Sequence, residues 1–175
     1  WRDWMAGLVG RADDPALRGV TSVFTLHDIS YQGLFWHHDM HLTGFPWDLF
    51  RFDKLEFFGK LNFMKGGIVF ADAVTTVSRA HAEEIRSSAV GCGLEKTLVR
   101  RDGALRGIDS GIDPEAWNPA ADPALEATFG SDAPGGKAAC RRSLQRVANL
   151  PEDDRPLVAM IGPFTRKNGF DLAGA

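Results

Sequence analysis

The sequence predicts an α/β fold organised around a parallel β-sheet. Three short apolar segments rich in β-branched residues predict strands over residues 20–26, 73–77 and 157–161. Segments whose apolar residues recur at helical spacing separate these strands, and the connections between them are long. Strands that alternate with helices favour βαβ units, in which helices pack on a parallel sheet.

The first predicted strand carries two polar residues at its carboxyl end. It covers residues 20–26, and His27 and Asp28 follow it directly. Open α/β sheets bind their ligands at the carboxyl ends of their strands, so both residues are candidates for a functional site. Residues 29–50 are rich in aromatic residues without a clear period, which predicts a long ordered loop with short helical turns.

The middle of the chain predicts a buried helix, a strand and a second helix. The first helix is predicted over residues 52–70, where apolar residues recur at helical spacing: Leu55, Phe58, Leu61, Met64 and Ile68. After the strand at residues 73–77, Ser78 is a suitable N-cap for a helix that continues to about Ile85. Residues 86–104 predict a loop.

Glycine and proline accumulate after residue 106 and predict a boundary between two units. We expect a first unit over residues 1–106, a linker and loop over 107–136, and a second α/β unit over 137–175. Helical spacing over residues 137–149 opens the second unit, and the third predicted strand follows. The chain begins at Trp1 and ends just after a strand-turn pattern, so we expect it to be a piece of a longer protein.

The composition excludes several classes of protein. With 175 residues, 44% of them hydrophobic and 25% charged, the chain is long and apolar enough to form a core, which excludes a disordered protein. A net charge of −3 without a basic run argues against a nucleic-acid binder. No apolar run reaches the roughly 18 residues of a membrane span. Two cysteines without CxxC spacing form neither a disulfide framework nor a zinc site, and favour a reducing cytoplasm.

Two other functional interpretations, a metal site and a dehydrogenase, are weakly supported. His37, His38 and His41 with Asp39 would suggest a metal, but adjacent histidine side chains point in different directions, so we expect no metal site and no cofactor. No GxGxxG motif follows a predicted strand, so a dehydrogenase is the least supported α/β enzyme.

Six motifs occur in a specific order along the chain. They are residues 27–33 (HDISYQG), 44–48 (GFPWD), 62–68 (NFMKGGI), 72–78 (DAVTTVS), 91–94 (GCGL) and 111–119 (GIDPEAWNP). In this order and at these spacings they resemble the bacterial glycogen synthase and plant starch synthase family. The resemblance extends over nearly the whole chain, and each motif alone would be weak evidence.

The resemblance implies a GT-B glycosyltransferase with two Rossmann-like domains. The family transfers glucose from a nucleotide sugar, usually ADP-glucose, to the non-reducing end of an α-1,4-glucan with retention of configuration. This chain would hold the later part of the N-terminal, acceptor-side domain and the start of the C-terminal, donor-side domain. The resemblance implies a cytoplasmic enzyme, or a plastid enzyme for a plant-type relative. Neither the choice between ADP- and UDP-glucose nor the oligomeric state follows from the sequence.

The resemblance also implies roles for individual residues. His27 would lie against the transferred glucose, where a neutral imidazole can hydrogen-bond a sugar hydroxyl. Asp3 would lie in the acceptor cleft and polarise the attacking hydroxyl. Trp4 and Tyr31 would be stacking surfaces for sugar rings. Each has a simpler alternative, namely a buried histidine, a solvated carboxylate and ordinary core aromatics.

Four residues depart from the family pattern where the family binds sugar and diphosphate. Asp28 replaces an asparagine, and Ser110 replaces a second asparagine near the sugar. Pro163 and Asn168 replace an arginine and a lysine that would stabilise the diphosphate leaving group. Two nearby cations, Arg166 and Lys167, are possible substitutes. The departures keep a second hypothesis open, a non-catalytic relative that binds glucan or a partner without transferring sugar.

Overall fold

The computed structural model of the chain describes residues 15–17, 19–165 and 168–173. The chain divides into two compact units, Trp1–Gly111 and Ile112–Ala175. The described strands are β1 (Val23–Leu26), β2 (Leu34–Trp36), β3 (Glu56–Phe57), β4 (Lys60–Asn62), β5 (Ala73–Thr76) and β6 (Leu105–Gly107). The α-helices are α1 (Met40–Thr43), α2 (Phe63–Phe70), α3 (Arg79–Glu84), α4 (Glu95–Arg100) and α5 (Gly136–Val147). Single 3₁₀ turns occur at Pro15–Leu17, His37–Asp39, Trp47–Leu49 and Asp102–Ala104.

The first unit is organised on a three-stranded parallel sheet in the order β1-β5-β6. Leu26 pairs with Thr76, and Thr76 pairs with Gly107, so the three strands end level with one another. The connection from β1 to β5 contains α2, and the connection from β5 to β6 contains α3 and α4. The predicted strands at 20–26 and 73–77 and the parallel βαβ arrangement are therefore confirmed.

Buried apolar side chains from the strands and helices join this sheet to its helices. The main core contains Phe24, Leu26, Ile29, Met64, Ile68, Ala71, Val74, Ala82, Ile85, Leu94, Leu98 and Leu105. At the amino end of the sheet, the backbone N–H and the hydroxyl of Ser22 both donate to Asp72 Oδ2, at 2.7 and 2.8 Å. These bonds join the residue before β1 to the residue before β5 and so fix the register of the two strands.

The predicted helix over residues 52–70 is wrong in its first half. Residues 56–62 form the antiparallel hairpin β3–β4, and β4 also pairs with β2. The hairpin turns at Phe58 and Gly59, whose φ angles of 49° and 76° are incompatible with a right-handed helix. Leu55 and Leu61 are buried in a second small core with Met40, Leu49 and Phe63, so their helical spacing comes from packing on a hairpin. In the expected loop over 29–50, the predicted short helical turns are present as α1 and two 3₁₀ turns, and only the strand β2 was not predicted.

The segment over residues 86–104, expected to be a loop, contains the helix α4. Leu98 of α4 and Leu94, immediately before it, are buried in the main core, which explains why so short a helix is stable here. The helix after β5 begins where the sequence predicts, because the Ser78 hydroxyl accepts a hydrogen bond from the His81 N–H at 2.9 Å.

The buried ammonium group of Lys65 stabilises the chain segment that leads into the hairpin. Its Nζ donates to the carbonyl oxygen of Phe52 and, at 2.5 Å, to that of Glu56. Burial lowers the pKa of Lys65 below its ordinary value, while the carboxylates of Glu56 and Asp53 oppose that shift.

We expect Lys65→Met to destabilise this region of the protein by about 2 kcal/mol, because the carbonyl oxygens of Phe52 and Glu56 both lose a charged donor. Faster hydrogen exchange at the β3 and β4 amides would measure the loss. Lys60→Met is the matched control, since the Lys60 side chain on β4 is exposed. Equal exchange rates in the two variants would contradict this role for Lys65.

The second unit contains one α-helix, α5, among its described residues. This confirms the helix predicted over residues 137–149. An apolar groove of about 740 Å³ lies beside it, lined by residues that include Leu125, Phe129, Pro134, Cys140, Leu144 and Leu157. The predicted strand over residues 157–161 is wrong, because these residues form no strand, and Val158 and Ile161 are 84% and 99% exposed. A strand needs a neighbour for its backbone hydrogen bonds, and the described part of this unit contains no strand.

Candidate active site

The candidate site lies at the carboxyl edge of the parallel sheet. His27 directly follows β1, Val77 and Ser78 follow β5, and Ser110 lies three residues after the end of β6. The level ends of the three strands bring these segments to the same edge, as the sequence predicted for His27 and Asp28.

Thr76 fixes the backbone from which His27 projects. The buried Thr76 hydroxyl donates to the carbonyl oxygen of Leu26 at 2.9 Å, and Ile108 N donates to the Thr76 carbonyl at 2.9 Å. The His27 side chain itself is exposed. An exposed imidazole on a fixed strand end is available to hydrogen-bond a ligand. Sequence analysis did not select Thr76, because its partner lies 50 residues away.

The loop after β1 presents Tyr31 to solvent. The carboxylate of Asp28 accepts hydrogen bonds from the backbone N–H of Ser30 at 3.0 Å and from its hydroxyl at 2.6 Å. Tyr31 N also donates to the Asp28 carbonyl at 3.3 Å, and the Tyr31 side chain is 80% exposed. Asp28 therefore shapes the loop, and Tyr31 has a free ring face for stacking.

The segment after β6 is held against the start of α3. Arg79 N donates to Asp109 Oδ1 at 3.1 Å, and the Arg79 guanidinium lies 3.2 Å from Asp109 Oδ2. Gly107 allows this approach, because a Cβ atom there would lie 2.2 Å from the Ser78 carbonyl oxygen. Ser110 is exposed beside this contact, and no sequence pattern predicted the Arg79–Asp109 pair.

Two of the predicted diphosphate positions lie in the second unit and contact each other. Asn168 Nδ2 donates to the carbonyl oxygen of Pro163 at 2.9 Å, and both residues are exposed. The Asn168 amide therefore closes a turn. Arg166 and Lys167, the possible substitute cations, lie outside the described residues, as do Asp3 and Trp4.

The histidines after β2 form an aromatic stack with a tryptophan. The ring centroids of Trp36 and His38 are 4.2 Å apart, and those of His37 and His38 are 4.1 Å apart. Across the residues that the structure describes, no group of three histidine, cysteine, aspartate or glutamate side chains converges on a point that could hold a metal. None of the helices described is long and apolar enough to cross a membrane.

Comparison with known proteins identifies the family. The family model described as the starch synthase catalytic domain matches residues 1–100 of the chain. The chain belongs to this family. Its resemblance to glycogen and starch synthases, expected from the six motifs, is thus confirmed.

Curated relatives of this starch synthase family match almost the whole chain. The glycogen synthase of Anaeromyxobacter sp. (strain Fw109-5) is 47% identical over 180 residues, which cover 99% of this chain and 38% of that protein. The glycogen synthase of Koribacter versatilis (strain Ellin345) is 42% identical over 176 residues, which cover 97% of this chain and 36% of that protein. The chain therefore spans little more than a third of the length of these relatives.

A solved structure of the family matches the fold. The catalytic domain of starch synthase IV from Arabidopsis thaliana, bound to ADP and acarbose, has a TM-score of 0.73 and 30% sequence identity to this chain. The match covers 88% of this chain and 33% of that one. The α/β fold of the GT-B type expected from the sequence is confirmed, and this chain supplies part of it.

Proposed function

We propose that the protein containing this chain is a retaining glucosyltransferase. It moves glucose from ADP-glucose to the non-reducing end of an α-1,4-glucan. The observation that carries the proposal is the exposed His27, held at the carboxyl edge of the parallel sheet by Thr76, in a chain of the starch synthase family. The Arabidopsis relative, bound to ADP and acarbose, supports a nucleotide-linked donor and a saccharide acceptor.

In the proposed reaction, the bond between the anomeric carbon and the diphosphate breaks, and a bond to the acceptor hydroxyl forms on the same face of the sugar. The acceptor hydroxyl passes its proton to the departing diphosphate oxygen, and ADP leaves with the electron pair of the broken bond. His27 hydrogen-bonds the transferred glucose and holds it in the reacting orientation. Asp3 accepts a hydrogen bond from the attacking hydroxyl.

The remaining candidate residues bind and orient sugar. Tyr31 and Trp4 stack on the apolar faces of sugar rings. Ser110 hydrogen-bonds a sugar hydroxyl from the end of β6. Asp28 acts through the loop, because its carboxylate is engaged by Ser30.

The leaving diphosphate needs positive charge, because negative charge develops on its oxygens in the transition state. Pro163 supplies none, and the Asn168 amide donates to the Pro163 carbonyl. We propose Arg166 and Lys167 as the cations that take this role. The same observation favours the second candidate function, a protein that binds glucan without transferring sugar.

A transfer assay distinguishes the two functions. The whole protein is incubated with labelled ADP-glucose and glycogen, and label in the glycogen is counted. We expect transfer that requires both substrates. Glycogen binding without incorporation of label would instead support the binding function.

Restoring the family's arginine and lysine tests whether missing positive charge near the leaving diphosphate limits the rate of transfer. On the second function, in which Arg166 and Lys167 do not supply this charge, we expect Pro163→Arg with Asn168→Lys to raise kcat about 10²-fold, the typical effect of one preorganised donor; if Arg166 and Lys167 do supply it, kcat should change little. We expect the additional substitution Ser110→Asn to lower the KM for the donor. Pro123→Arg, at an exposed proline of the same unit, controls for added charge. If the control raises kcat as much as the restored pair, the positional argument is wrong.

A further inference from the structure

A buried amide network lies beneath the loop that presents Tyr31. Gln32 and Asn62 are 5% and 0% exposed. Asn62 Nδ2 donates to Gln32 Oε1 at 2.7 Å, and Gln32 Nε2 donates to the carbonyl oxygen of Cys92 at 3.0 Å. Both ends of the Gln32 amide are therefore paired inside the protein. We call these three groups the Gln32 anchor.

The hydrogen bonds fix the orientation of both amides. Asn62 Oδ1 accepts from the backbone N–H of Lys65 at 2.8 Å, because Asn62 is the N-cap of α2. Its amide nitrogen must then face Gln32, so the oxygen of Gln32 faces Asn62. The nitrogen of Gln32 faces the Cys92 carbonyl, which can only accept. A side chain that cannot donate at this point leaves the Cys92 carbonyl without its partner from the Gln32 amide.

The Gln32 anchor is attached to a turn whose two glycines are closely packed. A Cβ atom on Gly91 would lie 2.6 Å from the Ile85 carbonyl oxygen, and one on Gly93 would lie 2.8 Å from the Phe57 ring. Cys92, exposed between them, has a φ of 50°. The position of the Cys92 carbonyl is thus fixed by close packing on both sides.

Backbone hydrogen bonds place the same loop on α2. Met64 N donates to the Gln32 carbonyl at 3.0 Å, and Phe63 N donates to the Gly33 carbonyl at 3.2 Å. Tyr31 immediately precedes this fixed point and projects into solvent. Gln32 is buried while the adjacent Tyr31 is exposed, so the two side chains lie on opposite sides of the loop.

We infer that Gln32 is a positioning residue for sugar binding. Its amide holds the loop of residues 27–33 so that Tyr31 and His27 meet the glucan in one fixed arrangement. The inference rests on the proposed sugar-binding role of this loop. It goes beyond that role by assigning glucan affinity to a side chain that touches no sugar.

The test is Gln32→Glu in the whole protein, with the affinity for maltoheptaose measured by calorimetry at pH 8. The variant keeps the size of the side chain and still accepts from Asn62. Ionised glutamate cannot donate to the Cys92 carbonyl and repels it. We expect the Kd for maltoheptaose to rise about tenfold, as for the loss of one buried hydrogen bond. Gln32→Met, which can neither donate nor accept, is expected to weaken binding at least as much.

Gln145→Glu is the matched control in the second unit. Gln145 is also buried, and its Nε2 also donates to a backbone carbonyl, that of Asp153, at 3.0 Å. We expect it to lower thermal stability and to leave the Kd for maltoheptaose unchanged. The binding measurement needs no turnover, so a protein that fails to transfer glucose still tests the anchor.

Three results would overturn the inference. One is a folded Gln32→Glu or Gln32→Met protein whose Kd for maltoheptaose stays within twofold of wild type. Another is an equal rise in Kd for Gln145→Glu, which would make the effect one of general stability. The third is a wild-type protein that does not bind maltoheptaose at all.

Discussion

His27→Ala is expected to lower kcat for glucose transfer by at least 10²-fold, because one preorganised group at the reacting sugar is worth about that factor. The structure leaves the imidazole exposed and fixes the strand end beneath it through Thr76. Removal of the ring should therefore leave the fold intact, and thermal stability should stay close to that of wild type.

The control for His27→Ala is His38→Ala. His38 is an exposed histidine of the same unit that stacks on Trp36 and not on the strand ends. His27→Gln, which keeps one hydrogen-bond donor, should recover part of the lost rate. If His27→Ala retains more than a third of the wild-type kcat, the catalytic role of His27 is contradicted.

Gly107→Ala is expected to destabilise the first unit by about 3 kcal/mol, at the upper end of what overpacking costs. The added Cβ would lie 2.2 Å from the Ser78 carbonyl oxygen and 2.4 Å from the Arg79 Cα. Both atoms belong to the backbone, so no side-chain rotation relieves the contact. Either β6 or the start of α3 has to shift.

Urea unfolding of the whole protein, followed by hydrogen exchange at the β5 and β6 amides, measures the effect of Gly107→Ala. Gly103→Ala is the control, because a Cβ there would meet nothing within 4 Å. The same shift would displace Ser110, so we also expect a weaker affinity for the sugar donor. Equal unfolding midpoints for the two variants would show that the contact at Gly107 relaxes without cost.

The parallel sheet could be predicted because each of its first two strands is a continuous run of apolar and β-branched residues. The local sequence pattern led to wrong predictions where tertiary packing determines the structure. Leu55 and Leu61 match a helical face, yet they pack from a hairpin whose turn is set by the φ angles of Phe58 and Gly59. The strand predicted near Val158 lacks a neighbouring strand among the described residues, and apolar composition alone does not supply one.

The site was predictable where a residue follows a strand end or belongs to a family motif. His27 and Tyr31 were selected as candidates in that way. Thr76 and Gln32 were missed as contributors, because each acts through a partner 50 or 60 residues away in the chain. No spacing pattern in a single sequence indicates a contact between residues so far apart in the chain.

The pairing of β1 with β5 also has a consequence for how the protein folds. Closing the 50-residue loop between Leu26 and Thr76 costs roughly 3–4 kcal/mol of free energy from lost chain entropy. Contacts between the strands offset this cost only after the loop has closed. Non-local parallel pairing is accordingly slow. During synthesis, a nascent chain that has not yet reached β5 lacks the hydroxyl that holds the carbonyl before His27. The proposed catalytic histidine therefore takes its position late, after the α2 segment has already emerged.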